Sequence, residues 1–384
     1  MSLSILPLLV CVVGLVLYAT AWVLLVVWTL GRRGSPVAAA GVTILKPLCG
    51  RDEELERNLE SFFALEHEPL QLVFGAADAA DPALAIVRQF ARRHPSRHVT
   101  IVVGCDDAAA SPKVGVLERL LPHAVHDVIL LSDSNVRVRP DEIAGVLPCF
   151  ADPAVGMAYQ VVVGIGERTA AAAVENLHYT EFAGLLSVGT ALLVGEHAVN
   201  AKGQWVRRAA LEAIGGFAGV RDHGADDYAL SRLVAGAGWR VALAPLPVRI
   251  VHRDWSWRAL ASRHLRHSGL RRRLCPWAYP LELVVNTVPW AVLLLATPYA
   301  AWAPVFIVTK LVLEITAARM LRGRPLAWRH VACIPLKDLC YFVGWFASFA
   351  VRSVEWRGRS YRIGPGGRLL PATEPAAARA AQAA

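Results

Sequence analysis

The N-terminal segment most constrains what this chain can fold into. Residues 5–30 are apolar and carry no charged side chain, and this run is longer than the roughly 20 residues that cross a bilayer as a helix. The charges, Arg32 and Arg33, follow the apolar run rather than precede it, which is unlike a cleavable signal peptide. The segment therefore predicts an uncleaved transmembrane anchor over residues 1–34, with the arginines and the following domain on the cytosolic side.

The net charge of +9 narrows the class of partner. The basic residues do not form a patch interleaved with aromatic residues, so we expect no nucleic-acid partner. Many of them flank apolar segments instead, a pattern that suits anionic headgroups and predicts contact with the lipid bilayer. Seven cysteines without a CxxC pair indicate reduced thiols rather than a disulfide framework.

Residues 35–255 alternate between strand and helix patterns. The stretches VTILKP, LQLVFGA, VTIVVG and DVILLSD have the apolar character of buried strands, and the segments between them have helical spacing. Such alternation predicts an α/β domain with a mostly parallel sheet covered by helices on both faces. No glycine-rich GxGxxG follows the first strand, which argues against a dinucleotide site.

The remaining third of the chain returns to membrane character. We expect an interfacial helix over residues 256–280, because tryptophans mix there with arginines. Transmembrane or re-entrant helices are expected over 281–352, from three apolar segments at 281–302, 304–320 and 331–351. The charged pair Lys337 and Asp338 favours a re-entrant segment over a straight span for 331–352. Residues 353–384 are expected to be a cytosolic tail, partly disordered.

Polar side chains follow the apolar strands. Asp133 and Asn135 come directly after the fourth strand, where ligands bind in open α/β sheets, although Asp, Ser and Asn also favour plain turns. Asp78 follows the second strand, with Asp81 as a helix cap. Lys113 stands at a helix start, which the helix dipole disfavours; it is either a phosphate ligand or a solvated surface residue.

Asp226 and Asp227 open another helix, where the dipole alone would favour acids. Taken with Asp133 and Lys113, they suggest chemistry on a nucleotide sugar. Loss of a nucleoside diphosphate develops negative charge, which cations stabilise. Carboxylate and amide oxygens suit Mg²⁺ or Mn²⁺, and a carboxylate can accept the proton of an acceptor hydroxyl.

Six motifs resemble those of glycosyltransferase family 21 in order and spacing. They are ILKPLCG, ADAADPA, SPKV, LSDSNVRV, ADDYALS and RHLRH. The resemblance covers residues 40 to about 275. It implies a GT-A fold, an inverting mechanism and a cytosolic UDP-sugar donor.

The resemblance also implies roles for single residues. Asp78 corresponds to the first motif aspartate, near the nucleoside, and Lys113 to a lysine near the diphosphate. Asp133 corresponds to the metal-site aspartate. Asn135 stands at the last position of the DxD-type triplet, where an acid is common, so both are candidate ligands of a divalent metal (Mg²⁺ or Mn²⁺).

The remaining correspondences concern catalysis and the diphosphate. Asp227 matches the catalytic base. Arg263 and Arg266 match the basic positions of the (Q/R)xxRW motif and are candidate donor ligands. His267 replaces the tryptophan of that motif.

We therefore expect a membrane-bound inverting glycosyltransferase, multi-pass in a cell membrane (a bacterial inner membrane), that moves a hexose from UDP-glucose to a ceramide-like lipid hydroxyl. Alternatives are a hopanoid acceptor with a UDP-N-acetylhexosamine donor, a processive polysaccharide synthase, and a non-enzymatic binding protein. The apolar stretch Phe182 to Gly195 is either a core helix or part of a lipid entry.

Overall fold

The computed structural model describes residues 3–31, 40–106, 108–200, 202–351, 353–356 and 359–371. Arg32 and Arg33, on which the expected orientation depends, lie outside this described part, and so do residues 372–384 of the expected disordered tail. Fifteen α-helices are present in the described ranges: α1 Leu6–Leu30, α2 Leu55–Phe63, α3 Pro82–Arg93, α4 Pro112–Leu120, α5 Glu142–Val146, α6 Ala170–Leu177, α7 Leu185–Val194, α8 Arg208–Ala213, α9 Asp226–Gly236, α10 Trp257–Leu274, α11 Tyr279–Val285, α12 Thr287–Leu294, α13 Ala303–Arg322, α14 Trp328–Val331 and α15 Cys333–Ala347.

The strands of the same ranges are β1 Val42–Leu48, β2 Leu70–Ala76, β3 His98–Val103, β4 Val128–Leu131, β5 Val136–Arg137, β6 Val155–Tyr159, β7 Val162–Ile165, β8 Gln204–Arg207, β9 Arg240–Leu243, β10 Val248–Val251, β11 Ser353–Trp356, β12 Arg359–Ile363 and β13 Leu369–Pro371. Seven of them form one sheet in the order β3-β2-β1-β4-β8-β6-β9. The pairs among β3, β2, β1 and β4 are parallel, while β8 runs antiparallel to both of its neighbours. The expected mostly parallel α/β sheet is confirmed.

Alternation along the strands covers both faces of this sheet. Ile44 packs into a core with α2 and α3, whereas the adjacent Leu45 packs into a second core with α4 and α9. Neighbouring strand residues point to opposite faces, so a strand covered on both sides is apolar throughout. Because β1, β2 and β4 run parallel, their carboxyl ends meet at one edge of the sheet.

A second, three-stranded sheet, β5-β10-β7, lies beyond that edge. The amide N–H of Val251 at the end of β10 donates to the backbone oxygen of Asn135 at 3.0 Å. Two segments more than 100 residues apart in sequence are thereby joined at the point where β4 ends.

Within the described ranges, four helical segments are long and apolar enough to cross a membrane: Leu6–Leu30, Ala170–Val194, Ala300–Arg322 and Trp328–Ala350. The second combines α6, a π-helical turn His178–Gly184 and α7, and it packs against α1, where Gly189 lies against Ala21. The apolar run 281–302, expected to be one segment, is broken at Asn286 into α11 and α12. Whether 331–352 spans or re-enters stays a prediction.

Part of the expected tail is folded. Strands β11, β12 and β13 form an antiparallel sheet, and Ile363 and Leu369 pack against Leu270 of α10. The amide of Leu369 donates to the backbone oxygen of Asp222, ahead of α9. The tail sheet therefore supports the loop that leads into α9.

Candidate active site

One cavity of about 1100 Å³ opens at the carboxyl edge of β1, β2 and β4. It is lined by all seven residues that the sequence singled out as site candidates: Asp78, Lys113, Asp133, Asn135, Asp227, Arg263 and Arg266. They come from strand ends and from α4, α9 and α10, so the fold brings together side chains scattered over almost 190 positions.

Asp133 is the centre of the charged end of this cavity. Lys202 forms a close ion pair with its Oδ2 atom, and Nζ of Lys113 lies 3.4 Å from its Oδ1 atom. Burial alone would raise the pKa of Asp133, but the ammonium groups of Lys113 and Lys202 hold it well below its usual range. The carboxylate is therefore ionised whenever the protein is folded at ordinary pH.

A third lysine supports Asp133 from beneath. Lys46 of β1 is fully buried, and its Nζ atom donates to the backbone oxygen of Asp133 at 2.5 Å and lies 3.8 Å from the centre of the Phe62 ring. Burial lowers the pKa of Lys46 to about 7, against the opposing field of Asp133. Lys46 thus fixes the backbone from which the Asp133 side chain projects.

Asp226 and Asp227 open α9 on the facing wall. Nζ of Lys113 donates to Oδ2 of Asp226 at 2.8 Å, so Lys113 bridges α9 to Asp133. Although burial opposes it, the carboxylates of Asp133, Asp226 and Asp227 raise the pKa of Lys113 above its usual range. Asp226, the first acid of the pair, is therefore already paired with Lys113.

Asp227 has different surroundings. Its Oδ1 atom accepts from the amide of Tyr228 at 2.8 Å, and its backbone oxygen accepts from Nε2 of Gln204 at 3.1 Å. Both bonds fix the start of α9, while the side chain remains on the cavity wall.

Asp78 lies at the exposed rim of the cavity. Its Oδ1 atom accepts from the amide of Ala80 at 2.9 Å, which orders the turn after β2. Asp81 caps α3, accepting from the amide of Ala83 at 2.9 Å, as its place before Pro82 predicts. Its other oxygen accepts from the amide of Gly50 at 2.8 Å, so Asp81 joins the loops that follow β1 and β2.

Two arginines of α10 line the same cavity. Arg263 donates to Oε1 of Glu175 at 2.8 Å and to the hydroxyl of Tyr179 at 2.5 Å, so it is paired with the helix that carries both. Arg266 and His267 also line the cavity. Burial, with Arg263 and Arg266 close by, lowers the pKa of His267 well below its usual range; the residue that replaces the motif tryptophan is a neutral imidazole.

The other end of the same cavity is apolar. Its lining comes from α1, from the π-helical turn, from α7 and from α11: Leu17, Ala21, Leu24, Phe182, Leu186, Leu193, Leu281 and Val285. Of these elements, α1, the π-helical turn and α7 belong to segments long and apolar enough to cross a membrane. The fourth, α11, packs against α1. The charged part of the cavity therefore continues into a surface that suits hydrocarbon.

The charged end fits a divalent cation through few protein ligands. Within the described residues no cluster of three or more His, Cys, Asp or Glu side chains suits a metal. Oδ1 of Asp133, however, is buried and accepts no hydrogen bond; Nζ of Lys113 lies 3.4 Å away from it. Mg²⁺ is commonly held by one or two carboxylates together with substrate phosphates, and Asp133 with Asn135 would meet that need.

The sequence analysis missed Lys46, Lys202 and His252, which all contact the strand-end residues. A compositional signal was available for the lysines. Only five residues of the whole chain are lysines, against 40 lysines and arginines together. A chain that uses arginine almost everywhere retains lysine where a compact ammonium group is needed.

The fold and the site define the class. The structure is similar to a mannosyltransferase from Pyrobaculum calidifontis solved in complex with GDP-Man and Mn²⁺, with a TM-score of 0.50 and 20% identity over 86% of this chain and 99% of that one. The architecture is that of a GT-A glycosyltransferase, as expected.

The family follows from the sequence match. The model of glycosyl transferase family 21 matches residues 6–369, and the chain belongs to this family. Curated relatives include ceramide glucosyltransferase 1 of Caenorhabditis elegans, 26% identical over 54% of this chain and 44% of that protein, and ceramide glucosyltransferase 3 of the same organism, 23% identical over 65% and 54%. The chain spans about half the length of these relatives.

Proposed function

We propose that this chain is a membrane-bound inverting glycosyltransferase that moves glucose from UDP-glucose to the hydroxyl of ceramide or a ceramide-like lipid, with its catalytic domain in the cytosol. The observation that carries the proposal is the two-ended cavity. Its charged end suits a diphosphate and its apolar end suits a lipid chain. The names of the curated relatives support the choice of glucose and ceramide.

The charged end would bind the donor. Lys113 would face the diphosphate, Arg266 would add positive charge from α10, and Asp78 at the rim would meet the nucleoside. Asp133 and Asn135 would hold a divalent ion, which when bound supplies positive charge to the leaving diphosphate. Arg263 would act through Tyr179 and Glu175, the residues with which it is paired.

Transfer would be a single displacement. The carboxylate of Asp227 would accept the proton of the acceptor hydroxyl as its oxygen forms a bond to the anomeric carbon. The bond from that carbon to the phosphate oxygen would break on the opposite face, and the electron pair would leave with UDP. The configuration at the anomeric carbon would invert.

The test is the product. Microsomes from a host that lacks glycolipids, expressing the chain, would be incubated with UDP-[¹³C]glucose and ceramide, and the lipid extract analysed by mass spectrometry. A new lipid heavier than ceramide by one labelled hexose is expected. A labelled hopanoid formed only with UDP-N-acetylglucosamine, or a polymer, would overturn the proposed acceptor and donor. An Asp227→Asn chain expressed at equal level is the matched control.

A further inference from the structure

Lys202 stands where two candidate metal ligands meet. It lies in the loop between α7 and β8, its side chain is only 12% exposed, and its Nζ atom pairs with Oδ2 of Asp133 and donates to Oδ1 of Asn135 at 3.3 Å. These contacts use two of the three donors of an ammonium group. A single positive charge thus bridges the first and last positions of the Asp133-Ser134-Asn135 triplet.

The direction of the Asn135 amide follows from a chain of hydrogen bonds. Oε2 of Glu167 can only accept, so the Asn176 group that faces it at 2.9 Å is the amide nitrogen. Oδ1 of Asn176 must then accept from Nδ1 of His252 at 3.1 Å. His252 therefore has its proton on Nδ1 and presents Nε2 as an acceptor.

That acceptor explains why residue 135 is an amide. Nε2 of His252 lies 3.3 Å from Nδ2 of Asn135, and only the amide nitrogen can donate to it. The hydrogen bonds to Asn176 and Asn135 occupy both ring nitrogens of His252, one as donor and one as acceptor, which is the pattern of the neutral ring. An aspartate here would face a lone pair instead of a donor, whereas asparagine donates to His252 and accepts from Lys202.

From this geometry we propose that Lys202 is a donor-binding residue and that its ammonium competes with a divalent ion for Asp133 and Asn135. The inference rests on the proposed function, since it assigns the diphosphate of a nucleotide sugar as the anionic ligand. An ammonium and a divalent cation seek the same carboxylate and amide oxygens and repel each other. When an ion takes these oxygens, the diphosphate supplies a new anionic partner for Lys202.

Two binding measurements on the whole chain in nanodiscs test this competition. The first is Mn²⁺ affinity without nucleotide, followed by the electron paramagnetic resonance signal of free Mn²⁺. Lys202→Met is expected to tighten it about tenfold, because the competing charge is gone. The second is UDP affinity at saturating Mn²⁺, followed by calorimetry, because Lys202 is released to the diphosphate only when the ion holds Asp133 and Asn135. The same variant is expected to weaken it about tenfold, because a charge-assisted hydrogen bond is lost.

Lys113→Met is the matched control. It removes the same charge from the other oxygen of Asp133, at 3.4 Å, and is expected to tighten Mn²⁺ less than Lys202→Met does. If both variants tighten Mn²⁺ binding equally, the cause is a general electrostatic field, and the proposed competition is overturned. Should Lys202→Met fail to fold, Lys202→Gln removes the same charge and keeps a hydrogen-bond donor, with tighter Mn²⁺ binding expected and unchanged binding contradicting the inference.

The outcomes distinguish this inference from the proposed function. A wild-type chain that binds no UDP, with or without Mn²⁺, would overturn the donor assignment and the inference with it. A wild-type chain that binds UDP, beside a Lys202→Met chain with unchanged Mn²⁺ and UDP affinities, would overturn the role of Lys202 alone.

Discussion

The five lysines of the chain divide between two ionic clusters that differ in access rather than in residue type. Lys113 and Lys202 pair with Asp133 at the open edge of the sheet, and the fully buried Lys46 supports the Asp133 backbone from beneath. The other two, Lys310 and Lys337, lie between the apolar helices with Glu181, Glu314 and Asp338. We call these groups the open cluster and the sealed cluster.

Access decides what each cluster can do. The side chains of Lys113, Lys202 and Asp133 are 14%, 12% and 20% exposed and line the large cavity, so a ligand can exchange with their present partners. The side chains of Lys310 and Glu314 are 0% exposed. A charge among apolar helices is stable only when paired, so the sealed cluster holds α13, α15 and the π-helical turn together.

Asp227→Asn should have the largest effect and acts on the open side. Removing the carboxylate that accepts the hydroxyl proton is expected to lower the transfer rate about 10²–10⁴-fold, with the UDP affinity nearly intact. Initial rates of glycolipid formation and calorimetric UDP binding measure the two quantities. A variant with full activity would remove Asp227 from the role of base.

Lys337→Met tests the sealed side against Lys113→Met. Removing Lys337 leaves three buried carboxylates facing Lys310 alone, and breaking a buried pair costs about 3–5 kcal/mol. Lys113→Met is expected to lower the free energy of unfolding by less than that, because its partners line the large cavity, where water can reach them. Thermal unfolding in one detergent compares them.

If Lys337→Met does not accumulate, the double variant Lys337→Met with Glu314→Gln removes one charge of each sign. It is expected to recover part of the lost melting temperature. Equal destabilisation by Lys113→Met and Lys337→Met would abolish the distinction between open and sealed clusters.

The sequence predicted the parts that local patterns determine. Strand and helix alternation predicted the sheet, and Asp133, Asn135 and Asp227 were found because they directly follow a strand or start a helix. Lys202 was missed because it lies in a loop without periodicity, and its partner Asp133 is 69 positions away.

The membrane part shows the same limit. Hydropathy treated 281–302 as one segment because averaging hides Asn286, whose Nδ2 atom donates to the backbone oxygen of Asp338 at 2.8 Å. The tail strands were missed because they are short, and they form only where α10 offers Leu270 as a packing partner. In each case a distant contact decided what the local pattern left open.

Asp133→Asn sharpens the account of the open cluster with a smaller effect. Mn²⁺ is expected to strengthen UDP binding to the wild-type chain at least about tenfold, or ~1.4 kcal/mol, and this gain should vanish in the variant. The affinity in EDTA should not fall, because Lys113 and Lys202 remain on the cavity wall. A Mn²⁺ effect that persists in Asp133→Asn would place the ion elsewhere.

Glu167→Gln should have the smallest effect. It tests the hydrogen-bonded connection between the sealed cluster and the open cluster. Glu167 accepts from Arg322 at the end of α13, the helix of Lys310, and from Asn176, which leads through His252 to Asn135. The ring of His330 also lies beside Glu167, with Nδ1 3.0 Å from Oε1. Although burial opposes it, hydrogen bonds and charge from Arg322 lower the pKa of Glu167 to about 2.

The sign of the pH effect follows from that direction. The unfolded chain binds this proton near pH 4.3, so the ion pair contributes stability above that pH and loses it as the pH falls toward 2. Between pH 6 and pH 3.5 the wild-type chain should lose about 1 kcal/mol that Glu167→Gln does not lose. The difference in melting temperature between the chains should therefore narrow in acid. The control is Asp254→Asn, which breaks an exposed pair with Arg168. It should change the free energy of unfolding by no more than a few tenths of a kcal/mol at either pH. If the wild type and Glu167→Gln lose stability in parallel as the pH falls, this connection carries no pH-dependent stability.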